Sequence, residues 1–342
     1  MKALVYYRNR DIRLEDVPQP EPGPDELLIK VTDAGLCQTQ VNEFIEGPFI
    51  INTKPNPVTG KAIPLIAGHE FGGVVDAAGS EGSQSLVGTR VAVLPLLNCK
   101  TCEWCRSGKE HLCNSMAYYG LIGADGGFAE YAVVRTNNVL PVSDPAIITF
   151  VEPLLVALHA VAKIKSDLGG CKVLVMGAGA IGTAMASVLT FVCKAAVSIT
   201  DILSKRRQRA KAAGFHVIEK DALSQCFDIV IDCAGSDPYS GKHPAILEGC
   251  QYLLKGGTLL VLGTYFHPLA FVPVQMLINE YMLINSYLYN NADVVSLKET
   301  ITSLKTDFSL FIDDVPLKRI IEDGYYRAEV DKDSFTRLVV KC

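Results

Sequence analysis

Three things are scarce in this chain. It has no cationic surplus: 32 Lys and Arg against 37 Asp and Glu give a formal charge of −5. A phosphate backbone needs excess positive charge, so nucleic acid is not expected as a main partner. It has no compositional bias, because 49% apolar and 20% charged residues match an ordinary globular protein. Disordered, collagen-like and low-complexity architectures are therefore poor fits, and no internal repeat is visible. It also offers no persuasive export or membrane segment. The start, Met1-Lys2-Ala3-Leu4-Val5-Tyr6-Tyr7-Arg8, breaks into charge too soon for a signal peptide. Two long uncharged stretches, 173–193 and 256–279, are interrupted by Gly177, Gly179 and Gly182 and by Pro268 and Pro273. Such segments suit buried strand-turn-helix units better than membrane spans. The expectation is a cytoplasmic protein in a reducing compartment, with no membrane partner.

The 342 residues suggest two domains at roughly 150 residues each. Up to about residue 141, short strands alternate with Gly and Pro, at 2–7, 26–33, 72–76, 90–94 and 128–134, which predicts an irregular β domain. After Glu152 the rhythm changes. Helices are predicted at 153–164, 181–191 and 205–213, between apolar strands at 172–176, 196–200, 228–232 and 258–262. That alternation predicts βαβ units and a doubly wound parallel sheet, making the fold class α/β. A helix at 292–304 and a closing strand at 335–341 complete the plan: a β-rich domain, an inserted α/β domain, and a return.

The strand 172–176 runs into Gly177-Ala178-Gly179-Ala180-Ile181-Gly182 and then a helix. Glycines there allow a tight turn, close approach of a pyrophosphate to the backbone, and tight helix packing, with the helix N-terminus facing the phosphates. Gly177, Gly179, Ala180, Ile181 and Gly182 are thus candidate cofactor contacts. The next strand ends at Asp201, where a carboxylate can accept from the adenosine ribose. Its charge repels a 2′-phosphate and favours NAD over NADP. The basic run Lys205, Arg206, Arg207 and Arg209 works the other way, unless it is a solvated helix face.

Eleven cysteines are present, four of them at Cys99, Cys102, Cys105 and Cys113. Four thiolates at this spacing close a zinc site or an iron–sulfur cluster with no position for substrate, so the role is structural. Separately, Cys37 and the His69-Glu70 pair offer one thiolate, one imidazole and a carboxylate. That set binds zinc with a vacant position, as a catalytic site requires.

With these motifs the chain resembles the zinc-dependent medium-chain dehydrogenase/reductase family. The resemblance runs the length of the sequence, and Gly68-His69-Glu70-x-x-Gly73-x-Val75-x-x-x-Gly79 matches the family's zinc signature. It implies a GroES-like catalytic domain, 1–152 and 289–342, with a zinc lobe near 99–113, and a Rossmann cofactor domain, 153–288. It implies two zinc ions, one catalytic and one structural. By position it makes Cys37 and His69 ligands, Glu152 the third ligand, and Glu70 an acid able to approach the metal. Thr39 matches the hydroxyl that receives the substrate proton, and Arg206 the cation near the adenosine phosphate or ribose. Stretches 43–48, 57–60, 68–71 and 126–131 are most similar to 2,3-butanediol dehydrogenases. Two residues depart from the family pattern: Gln40 replaces the common Asp, and Asn42 replaces the His that passes the proton to solvent.

The implied chemistry is reversible oxidation of a secondary alcohol in a cleft between the domains, with a vicinal diol or hydroxyketone preferred and NAD as acceptor. A sugar, polyol or aminocyclitol dehydrogenase shares every metal ligand, and a noncatalytic protein that binds NAD and zinc is a third alternative. The resemblance further implies a homodimer or homotetramer. Among the histidines outside these motifs, His159 is expected to be a satisfied core residue, and His111, His216, His243 and His267 to be unligated.

Overall fold

Leu27, Leu28, Ile29, Val31 and Ala34 are buried along one strand, Glu26–Gly35, which becomes the hub of a seven-stranded sheet. This is seen in a computed structural model that describes residues 1–164, 167–235, 244–265 and 268–342, so His243 and His267 lie outside the described residues. The hub pairs antiparallel with Glu70–Ala78, Tyr131–Arg135 and Arg337–Lys341. Register matters for function. Gly35 faces Glu70, so Cys37, two residues past the end of one strand, arrives beside His69-Glu70 at the start of its partner. The closing strand enters the same corner, with Val339 opposite Gly35 and the Leu36 amide bonded to the Leu338 carbonyl at 2.9 Å.

A three-stranded sheet of Asp11–Asp16, Lys2–Arg8 and Leu65–Ile66 adjoins it. A smaller one combines Leu96–Leu97, Ala117–Tyr119 and Gly123–Ala124. The strand expected at 128–134 starts at Tyr131, because the Phe128 amide and carbonyl are taken by Ala67 and Leu4.

The second unit is a six-stranded, all-parallel sheet. Its spatial order is His216–Val217, Ala196–Thr200, Lys172–Met176, Phe227–Asp232, Leu253–Val261 and Met282–Asn285. Strands of this kind read as continuous apolar runs because both faces are covered. Val173, Leu174 and Val175 are fully buried, as are Val230 and Ile231. The strand order reverses beside Lys172–Met176, the place where doubly wound sheets bind ligands. The chain is therefore a β-rich unit joined to a Rossmann unit.

The units comprise Met1–Glu152 with Ile312–Cys342, and Pro153–Phe311. The return falls at 312 rather than 289. The helix Asn291–Thr300 is pinned inside the Rossmann unit: Asp293 bonds His159 Nδ1 at 2.8 Å, and Thr306 donates to Ser187 Oγ at 2.8 Å. His159 is accordingly a buried, partnered core histidine. One helical stretch among the described residues, Pro145–Ala162, is long and apolar enough to cross a membrane, and 78% of it is buried inside the protein.

Candidate active site

Cys37 N-caps the helix Gln38–Ile45, His69 immediately precedes the strand Glu70–Ala78 that Glu70 opens, and the donor atoms of the three lie within 4.8 Å of one another. Thr39 turns both its amide and its hydroxyl toward the Cys37 sulfur. Burial, followed by the charges of Glu70 and Glu152, pushes the Cys37 thiol up. Burial and then Arg337 press the His69 imidazole down to about 3. Burial raises Glu70 as well. With no cation these donors favour neutral forms, as expected of ligands whose charge is designed to meet a metal's. His69 Nδ1 is buried without a hydrogen-bond partner. Thiolate, imidazole and carboxylate donors converging in a dry corner fit zinc.

Glu152 stands outside this cluster. Its Oε1 accepts a 2.7 Å hydrogen bond from the Tyr118 hydroxyl, and burial followed by the Glu70 charge pushes it up to about 8. Glu70 is the acid that meets Cys37 and His69 within 4.8 Å, and Glu152, the third ligand that the resemblance implies, is buried with its charge acting on the Cys37 sulfur. Glu70 is itself held by Arg337 Nη2 at 2.8 Å. That guanidinium also bonds Thr149 and lies 4.7 Å from the Phe150 ring centroid, fully buried. Sequence reasoning missed both Tyr118 and Arg337. A cation opening the apolar run Arg337-Leu338-Val339-Val340 was the available signal for Arg337; Tyr118 left none.

The two departures are also visible. Gln40 is buried and donates to the Gly120 carbonyl at 3.2 Å, leaving its Oε1 without a partner. Asn42 accepts from Gln38 at 2.9 Å on the exposed side of the helix.

In the lobe, Cys99, Cys102, Cys105 and Cys113 bring their sulfurs within 4.8 Å of one another. Neighbouring sulfurs stand 3.5 to 3.9 Å apart. A zinc tetrahedron with Zn–S near 2.3 Å has edges of about 3.8 Å, so the cage fits that ion. Backbone amides of Thr101 and Cys102 draw the Cys99 thiol down to about 5.

In the Rossmann unit, Gly177 has φ +102°, and a Cβ at Gly182 would strike the Gly177 carbonyl, so both positions require glycine. Gly179 caps the helix Ala180–Ser187 without a side-chain bond. The Asp201 carboxylate braces the cradle, accepting from the Ala178 amide at 2.7 Å and the Leu203 amide at 2.8 Å. Arg206 stands 3.8 Å from Asp201 with its Nε buried and unpartnered, which suits an anionic dinucleotide. Two of the other cations on its helix are committed elsewhere. Arg207 bonds the Asp201 carbonyl and pairs with Glu219, and Arg209 bonds the Phe311 carbonyl.

Residues 23–144 match the alcohol dehydrogenase GroES-like domain. The chain is 28% identical to an (R,R)-butanediol dehydrogenase of Neisseria gonorrhoeae, over 99% of both proteins. It is 32% identical to a sorbitol dehydrogenase of Bacillus subtilis, over 77% of this chain and 75% of that one. Among solved structures, 2R,3R-butanediol dehydrogenase from Bacillus subtilis superposes with a TM-score of 0.85, covering 100% of this chain and 99% of the other at 24% identity, a likeness of fold.

Proposed function

Because the chain belongs to the zinc-dependent medium-chain dehydrogenase/reductase family, whose members oxidise alcohols and polyols, we propose that it moves a hydride between a vicinal diol or hydroxyketone and NAD. The observation that carries this is the convergence of Cys37, His69 and Glu70 within 4.8 Å. Zinc held by these donors supplies Lewis acidity that lowers an alcohol's pKa toward neutrality, and the dinucleotide supplies the hydride acceptor. Thr39, whose hydroxyl lies at the Cys37 sulfur, takes the alcohol proton. Gly177, Gly179, Ala180, Ile181 and Gly182 bind the pyrophosphate through backbone and helix N-terminus. Asp201 orients the ribose, and Arg206 screens the phosphates. Asp201 and the commitments of Arg207 and Arg209 support NAD over NADP. The four-cysteine lobe holds a second, structural zinc.

A second copy of the chain is the partner favoured by the Rossmann sheet. Its outermost strand, Met282–Asn285, exposes Met282 and Leu283, and the preceding helix exposes Leu277 and Ile278. Edges of this kind are ordinarily covered.

The test is a screen of diols, hydroxyketones and polyols followed by NADH absorbance and repeated with NADPH. Activity on butanediol or acetoin supports the assignment. Activity confined to polyols, the reading favoured by the sorbitol dehydrogenase relative, overturns the substrate. A zinc-loaded protein silent toward the whole panel overturns the enzyme. Cys37→Ala is expected to abolish turnover and spare the fold, whereas Cys102→Ala lowers soluble yield.

A further inference from the structure

We propose that Tyr265, through its hydrogen bond to the buried Asp232, is a positioning residue for the nicotinamide half of the dinucleotide. The inference rests on the dinucleotide reading above and adds to it two side chains that no glycine motif marks. Asp201, assigned to the adenosine ribose, follows the strand on one side of Lys172–Met176, and the pyrophosphate is assigned to the turn after Lys172–Met176 itself. The second nucleoside then lies over the strands on the opposite side, Phe227–Asp232 and Leu253–Val261.

Three backbone turns touch edge to edge at those strand ends. A Cβ at Gly177 would come within 3.1 Å of the Cys233 and Ala234 backbone, one at Gly235 within 2.9 Å of the Thr264 carbonyl oxygen, and one at Gly263 within 2.5 Å of the Gly235 nitrogen. The Cys233 amide donates to the Met176 carbonyl, and the Leu262 and Gly263 amides donate to the Asp232 carbonyl, each at 2.9 Å. Neighbouring strands lie about 4.8 Å apart, so the shelf reaches about 10 Å from the glycine turn. Ala234 and Thr264 are exposed on it, while Asp232 beneath is fully buried.

Asp232 and Tyr265 tie this shelf together from below. Asp232 Oδ1 accepts from the Ala234 and Gly235 amides at 2.9 and 3.1 Å. Its Oδ2 accepts from the Tyr265 hydroxyl at 2.5 Å, and that hydroxyl oxygen accepts from the Ile246 amide at 2.9 Å. One carboxylate thus joins the turn after Asp232 to the turn after Val261, and the hydroxyl joins both to the helix Ala245–Gly249. Asp201 braces the adenosine side in the same manner, through the Ala178 and Leu203 amides. Burial raises the Asp232 carboxyl, and its three donors act against that rise. Without the hydroxyl, a buried acceptor is left unpaired at the far end of the shelf, away from Asp201 and the glycine turn.

Tyr265→Phe removes the tie and keeps the ring. In the full chain, NADH affinity is read from the fluorescence of its reduced ring, and ADP affinity by titration calorimetry. ADP carries the adenosine and pyrophosphate but lacks the second nucleoside, so the two probes separate the halves of the site. The variant is expected to bind NADH about tenfold more weakly than wild type, the cost of stranding one buried acceptor, and ADP equally well. Asp232→Asn keeps an oxygen for the two amides and weakens the bond to the hydroxyl. It should show the same selective loss at smaller size, about threefold, and it carries the test if Tyr265→Phe folds poorly. Unchanged NADH affinity, or equal losses for NADH and ADP, overturns the positioning role and leaves the dinucleotide site standing. A wild-type chain that binds neither ADP nor a reduced dinucleotide overturns the dinucleotide reading and, with it, this inference.

Discussion

Asn42 occupies the place where the family's proton route commonly ends in an imidazole, and here its carbonyl is engaged by Gln38 on the exposed helix face. Neither amide titrates, so in the proposed reaction water or another group carries the proton onward from Thr39. Asn42→His restores a titrating group. The pH profile of kcat/KM for alcohol oxidation is expected to gain an ionisation near 6.5 that wild type lacks. Superimposable profiles would mean that the proton never passes position 42. Arg337 makes a second argument at this scale. Removing one partner of a buried ion pair strands the other, so Arg337→Met should cost about 3–5 kcal/mol in urea unfolding of the metal-free protein. Arg337→Met/Glu70→Gln should cost less, because no buried carboxylate then lacks its guanidinium; equal losses would place the cost in packing against Phe150. The donors Cys37, His69 and Glu70 were legible in the sequence because thiolate and imidazole are rare side chains in a recognisable frame. Arg337, which is 267 residues from Glu70, and Tyr118 were not, since only the folded sheet brings them there.

Elements were legible where both faces are buried. The strands Lys172–Met176 and Ala196–Thr200 fall where the apolar runs put them. Asp11–Asp16 was not foreseen, because only Ile12 of its six residues is buried and the rest read as a charged loop. The helix Gln38–Ile45 was also unread: it has polar residues at buried positions, including Gln40 and Glu43, that satisfy loops rather than form an apolar stripe. That helix carries Thr39 and is fastened to the strand Lys2–Arg8 by the Tyr6 hydroxyl, which donates to the Glu43 carbonyl at 3.0 Å. Burial, then the Glu43 charge, raises Tyr6 above its ordinary value of 10.0. The folded state thus keeps a proton that the unfolded chain releases near pH 10. This contribution is complete below pH 10 and is lost as pH climbs further, by about 1.4 kcal/mol per unit. Tyr6→Phe should cost about 1 kcal/mol at pH 8 and make the alkaline decline shallower. It should not abolish the decline, because Tyr265 and Tyr325 are raised in the same direction. An unaltered slope between pH 9 and 11 would show that Tyr6 does not hold its proton in the fold.

For the molecule as a whole, the division into two units predicts how stability responds to ligands. Every proposed metal donor lies in the unit Met1–Glu152 with Ile312–Cys342, and the glycine cradle, Asp201 and Arg206 lie in Pro153–Phe311. Each unit has its own sheet and buried core, with Leu174, Val230 and Leu259 in the centre of the second. A ligand that binds only the folded form stabilises by mass action, about 2.7 kcal/mol at a hundredfold excess over Kd, and acts on the unit that holds it. Chains with more than one unit depart readily from two-state unfolding. Calorimetry should therefore show two transitions. A chelator should lower one and leave the other near its place, while NAD should raise the second with little effect on the first. Limited proteolysis during the ramp should assign the chelator-sensitive step to the β-rich unit, through early cleavage around the 99–113 lobe. A single transition moving with both additions would mean that the two units unfold as one, and the return of the chain at Ile312 would then be a boundary of geometry but not of stability.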